Sequence, residues 1–103
     1  MADPMKIRAS IVGDSTEVKV LMNHEMETGQ RKDAKGQAIP AWFIENVTVT
    51  WSDKTVLSAQ WGTAISKNPF LSFKFKGGAK GDKIIVTWVD NHGDKRTDEA
   101  VIA

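Results

Sequence analysis

Apolar residues in this chain recur at every second position, in short runs cut by turn residues, and no segment carries a convincing helical repeat. A period of two puts alternate side chains on opposite faces of an extended backbone, so the pattern demands strands with one face buried. Ile7, Ala9 and Ile11 alternate with Lys6, Arg8 and Ser10. After a turn at Gly13-Asp14, Val18, Val20 and Met22 alternate with Glu17 and Lys19, which makes the two segments a hairpin. Both faces carry large residues between Trp42 and Trp51, with Val47, Val49 and Trp51 on one side and Thr48 and Thr50 on the other. Ser52-Asp53 turns the chain into a strand with Thr55, Leu57, Ala59 and Trp61 on one face. Leu71, Phe73 and Phe75 alternate with Ser72, Lys74 and Lys76, and Gly77-Gly78-Ala79-Lys80-Gly81-Asp82 must turn. Ile84, Val86 and Trp88 then form one row and Ile85, Thr87 and Val89 the other. Asn91-His92-Gly93-Asp94 reads as a hairpin loop before a short last strand through Val101 and Ile102.

About seven strands with turn signals roughly every ten residues predict an all-β antiparallel sandwich, and 103 residues predict one domain over 1–103. The chain has no tyrosine for a tyrosine corner and no Cys-Trp-Cys core, so the topology is at most immunoglobulin-like. The polar stretch from Asn23 to about Ala38 is long for a connection, and loops of that length in small domains tend to serve a function.

The charge balance excludes broad phosphate-backbone binding, since the formal net charge is only +1. With no cysteine, the chain has no disulfide, no thiol nucleophile and no thiolate metal site. No apolar run is long enough to cross a bilayer, and Met1 to Lys6 has no apolar signal-peptide core, so the bare sequence predicts a cytoplasmic protein.

The residues suggest little chemistry. Met22, His24 and Met26 share a side if the second strand runs on, and two thioethers with an imidazole suit copper. The competing reading packs both methionines beneath the loop, which methionine does readily. His92, beside Gly93, reads as a solvated turn residue, and two histidines without cysteine argue against catalytic zinc. The glycines after Lys76 lack the lysine-serine/threonine of a phosphate loop, and no G-x-S-x-G elbow is present. Asn46-Val47-Thr48 fits a glycosylation sequon but lies inside a strand. Glu25, Glu27 and Asp33 with Arg31, Lys32 and Lys35 make a mixed-charge loop, either a solvated surface or a recognition loop. No catalytic, cofactor or metal residue is therefore assigned, and copper binding by Met22, His24 and Met26 stands as the alternative function.

Eight aromatics and several two-faced strands exceed what one two-layer core absorbs. The excess predicts a covered outer face, and a protein partner outranks nucleic acid because only Lys74 and Lys76 flank aromatics. Trp42, Ile44, Ile85 and Val89 are the expected docking residues, and the loop from His24 through Met26 and Arg31 to Lys35 is a second contact region. An exposed apolar face also allows a homodimer in isolation.

His24 to Asp33, Ile39-Pro40-Ala41 with Phe43-Ile44, Lys67 to Gly78, and Thr87-Trp88-Val89-Asp90 follow one another in an order that resembles the SoxZ family. Glu25 departs from the proline expected after the histidine in many relatives. The resemblance implies a non-catalytic immunoglobulin-like subunit of a sulfur-carrier heterodimer of thiosulfate oxidation. Its partner, SoxY, would carry sulfur intermediates on the cysteine of a C-terminal arm and present them to other Sox enzymes. It also implies a periplasmic location without a signal peptide on this chain, through co-export with the partner.

Overall fold

A valine-rich strand facing two more across an apolar interior sets the architecture. The computed structural model describes residues 4–103. Its strands are β1 (Lys6–Val12), β2 (Ser15–Leu21), β3 (Ile44–Trp51), β4 (Lys54–Gln60), β5 (Phe70–Lys76), β6 (Lys83–Asp90) and β7 (Lys95–Val101). They form two antiparallel sheets, ordered β1-β2-β5 and β4-β3-β6-β7, and no helix occurs among the described residues. The fold is the expected immunoglobulin-like sandwich of seven strands.

The alternating rows face as their periodicity requires. Val18 and Val20 of β2 meet Val47 and Val49 of β3 and Ile84, Val86 and Trp88 of β6, all essentially without solvent contact. Ile85, Thr87 and Val89 point out. Leu71, Phe73 and Phe75 face in but stay half-buried, because β5 ends its sheet. Val56 and Leu57 of β4, the terminal strand of the other sheet, are half-buried for the same reason.

Strict alternation fails twice, and each failure is a β-bulge. Ile44 pairs with Asp90 while Asn46 pairs with Val89, so Glu45 is an extra residue in β3. That residue reverses the phase, and Ile44 points into the core beside Val47 instead of outward. The expected outward placement of Ile44 is thereby corrected. A second irregularity between Val49 and Thr50 leaves Thr55 exposed, off the inward row of Leu57 and Ala59 to which alternation assigns it.

One side of the sandwich is laced shut. The Ala103 amide donates to the Ala9 carbonyl at 2.9 Å, and Ile11 N–H donates back to Ala103 at 3.3 Å. Met5 N–H reaches the Asp98 carboxylate at 2.9 Å. At one end, Thr16, fully buried, donates its hydroxyl to the Gly77 carbonyl at 2.7 Å. Gly78 sits over that hydroxyl with φ +92°, and a Cβ there would lie 2.2 Å from Thr16 Oγ1.

Gly78→Ala is expected to cost about 2–3 kcal/mol more unfolding free energy in urea than Gly81→Ala. Gly81 has nearly the same φ (+93°) but nothing within 4 Å of its missing Cβ. The difference therefore isolates the approach to Thr16, and equal losses would show that contact to be loose.

Candidate partner-binding site

Asp90 occupies the inward row of β6, after Ile84, Val86 and Trp88, where a carboxylate would be costly without donors. It is 2% exposed and accepts four hydrogen bonds. Oδ2 takes His24 Nε2 at 3.0 Å and Trp42 Nε1 at 2.7 Å. Oδ1 takes the backbone amides of His92 and Asp94, each at 2.9 Å. Burial pushes this carboxyl up, but the donors from His24, Trp42, Asp94 and His92 outweigh it and hold the group below its ordinary value.

His24, buried against Trp88 and Trp42 in edge-on contacts with centroids 5.2 Å apart, uses both ring nitrogens. Met26 N–H points at Nδ1 from 3.0 Å and can only donate, so Nδ1 is unprotonated and Nε2 carries the hydrogen given to Asp90. The anion is thus held by neutral dipoles, with no counter-ion in direct contact. Met26 adopts φ 50° to make this turn, an unusual conformation for a non-glycine residue. The His24 backbone is clamped in turn by Asn68, whose Oδ1 accepts from His24 N–H at 3.0 Å and whose own N–H donates to His24 at 2.9 Å.

Met22, His24 and Met26 do share the buried side, as alternation suggests. Two of the three are nevertheless committed: His24 has no free nitrogen, and Met26 Sδ accepts the Ile44 N–H at 3.3 Å. Met22 is 1% exposed, and the set packs as core with neither imidazole nitrogen open to copper.

Trp42 lies in the segment before β3 rather than on a sheet face. Its indole stacks on His92 with centroids 5.1 Å apart and planes 9° from parallel. His92 is accordingly more than a solvated turn residue, since its ring also contacts the Ala41 carbonyl at 3.2 Å. Asn91 ties the same segment down, donating to Ala41 and accepting from Phe43 N–H, both at 2.8 Å. The long connection folds back as an arm, bridged at Glu27–Trp42 and Lys32–Ala38, with its exposed tip at Asp33–Gln37. Arg31 lies exposed on that arm and pairs with Glu27 through two guanidinium hydrogen bonds.

The outer face of the four-stranded sheet is rich in threonine and carries Lys83, Lys95 and Glu99. Gln60, Asn46, Val89 and Lys95 lie across it in one row, with Ser58, Thr48, Thr87 and Thr97 in the next. Ile85 is 37% exposed beside Thr50 and Glu99, and Val101 is 57% exposed beside Lys83. Lys83 and Glu99 pair at 3.7 Å. Ile85 and Val89 lie on the outer face, whereas Trp42, Ile44, His24 and Met26, also expected as contact residues, serve the interior hub, because His24 and Trp42 donate to Asp90 and Met26 and Ile44 are buried. Apart from Phe70, 59% exposed on the outer row of β5 in the other sheet, the aromatics lie on inward rows and connections, and the exposed apolar area of this face comes from isoleucine and valine.

Sequence comparison now decides the family. The sulphur oxidation protein SoxZ family matches residues 5–101. The chain belongs to the SoxZ family. No curated protein matches it individually. Among solved structures, an oxidised superoxide reductase matches with a TM-score of 0.64 and 13% identity, over 99% of this chain and 89% of that one. A reduced superoxide reductase (neelaredoxin) from Archaeoglobus fulgidus, E12V, gives 0.60 and 16%, over 97% and 86%. At such identities the likeness is one of fold alone.

Sequence reasoning assigned no role to Asp90, although an acidic residue on an inward row was a readable sign. Asp90→Asn should cost about 3–5 kcal/mol, because either amide orientation turns NH₂ toward two donors. Asp90 has its folded-state value below the ordinary 3.8, so its stabilisation is present above that value and lost as pH falls through the lower one. Asp98, held down chiefly by Arg96, acts in the same direction. Urea midpoints of the native chain should drop as pH falls below about 4, with a shallower slope for D90N. In a separate titration with stoichiometric copper, His24 resonances should stay unmoved, and a shift there would revive the metal reading.

Proposed function

We propose that this SoxZ-family chain is the non-catalytic, non-carrying subunit of a periplasmic sulfur-carrier heterodimer, docked to a SoxY-like chain whose arm cysteine holds the sulfur intermediates. Its place in a sulfur-oxidation family supports the setting. The absence of any cysteine supports the non-carrying role. The observation that carries the docking assignment is the outer face around Ile85 and Val89. Rich in threonine, it sets Ile85, Val89 and Val101 beside Lys83, Lys95 and Glu99, apolar area with charges at its margin that a partner can cover. Association there hides Ile85, Val89 and Val101 from water; Lys83 and Glu99 already pair, and Lys95 beside Val89 is left for a partner carboxylate. The arm that carries Arg31 adds a second contact, and without its mate the same face pairs two copies of this chain.

The test is co-expression with a SoxY-like chain followed by size-exclusion chromatography at low concentration. Ile85→Asp and Val89→Asp should each weaken the pair by about ten- to a hundredfold while leaving a folded monomer. Ile44→Asp should instead unfold the domain, because that side chain is interior. Pairs that survive both outward substitutions would move the interface off this face.

A further inference from the structure

We propose that the opposite sheet carries a second interaction surface, built for an acidic protein partner with an apolar side chain among its carboxylates. It goes beyond the docking reading and does not rest on it. The outer row of β1 presents Lys6, Arg8, Ser10 and Val12, that of β2 presents Glu17, Lys19 and Leu21, and that of β5 presents Phe70, Ser72, Lys74 and Lys76. Five cations therefore share this face with one strand carboxylate, Glu17, and with Asp14 of the adjoining turn, which meets Lys76 at 3.9 Å, although the whole chain is only +1.

Their arrangement goes against the rules of a stable sheet. Arg8 stands directly opposite Lys19 across the β1–β2 ladder. Like charges at such a position repel at close range. The nearest relief for Lys19 is Glu17 on its own strand at 3.5 Å, and Glu17 is shared with Lys74 at 4.0 Å. An arriving carboxylate would remove the repulsion, so the ligand's charge is specified by the surface itself. One row along, Leu21 stands opposite Phe70, and these are 41% and 59% exposed. Lys6, Arg8, Lys19, Leu21 and Phe70 together line a depression of about 210 Å³. A hydrophobic side chain flanked by Asp or Glu matches that combination. A nucleic-acid backbone fits less well, because Glu17 interrupts the basic track in the middle of the sheet.

The experiment uses the full chain labelled for NMR and a short peptide of Asp and Glu with one central leucine. Comparison ligands are the same peptide with glycine for leucine, oligo-dT, and phosphatidylglycerol vesicles. The expected result is salt-sensitive shifts confined to Arg8, Lys19, Leu21, Phe70 and Ser72, weaker with the glycine peptide. Arg8→Glu should weaken peptide binding about tenfold while raising the urea midpoint, since it converts a repulsive cross-strand pair into an attractive one and leaves the Lys19–Glu17 pair in place. Lys19→Gln should also weaken the peptide, and serves as the test should the first variant not fold. Binding down with stability up is a signature that a merely structural arginine would not give. Shifts scattered over the arm lysines and Lys54, unchanged affinity in both variants, or larger effects from oligo-dT or vesicles at this face would overturn the proposal.

Discussion

A single buried carboxylate organises one whole end of this sandwich. Asp90 ends β6 inside the protein and collects donors from the β2–β3 connection, from the segment before β3 and from its own hairpin loop. Each hydrogen bond to a charged acceptor contributes about 1.5–3 kcal/mol, and losing one leaves a buried charge with one donor fewer and no water to replace it. The chain cannot rearrange this end piecemeal. Moving Trp42 releases both an indole donor and the His92 stack. Moving His24 releases Asp90, the Met26 turn and the Asn68 clamp together. The unusual backbone at Met26 and Asn68 is sustained by these partners.

This hub explains why the motifs that carry the family resemblance lie far apart in sequence. His24 and Met26 come from the first motif, the Ala41–Ile44 segment from the second, Asn68 from the third, and Trp88 and Asp90 from the fourth. All four meet within hydrogen-bond or ring-contact distance at one end of the molecule. Such residues report how the fold closes. The surfaces proposed to meet other molecules lie elsewhere, on the two outer sheet faces and the Arg31 arm, where the sequence is ordinary threonine, valine and charged residues.

The strands were legible because burial on one face forces period two, and every fully buried row from β2 to β6 follows it. Ile44 escaped because one extra residue, Glu45, reverses the phase, and nothing in a list of alternating residues marks where a strand will bulge. Trp42 escaped because its amphipathic indole spends its N–H on Asp90, a partner 48 residues away. The clustering of Met22, His24 and Met26 was legible. That both imidazole nitrogens are engaged was not, since it depends on a long-range partner and on one backbone amide. The charge contrast between the two outer faces likewise emerges only once the register sets Arg8 beside Lys19 and Thr48 beside Thr87.

In the proposed arrangement a partner covers the threonine-rich sheet and leaves the basic sheet open. The most direct measurement is relaxation of methyl resonances by a soluble paramagnetic agent, in the free chain and in its complex with a SoxY-like subunit. On this account the Ile85, Val89 and Val101 methyls are strongly relaxed when free and become shielded in the complex, while Val12 and Leu21 stay relaxed in both. Shielding of Val12 and Leu21 with Ile85 still accessible would contradict it.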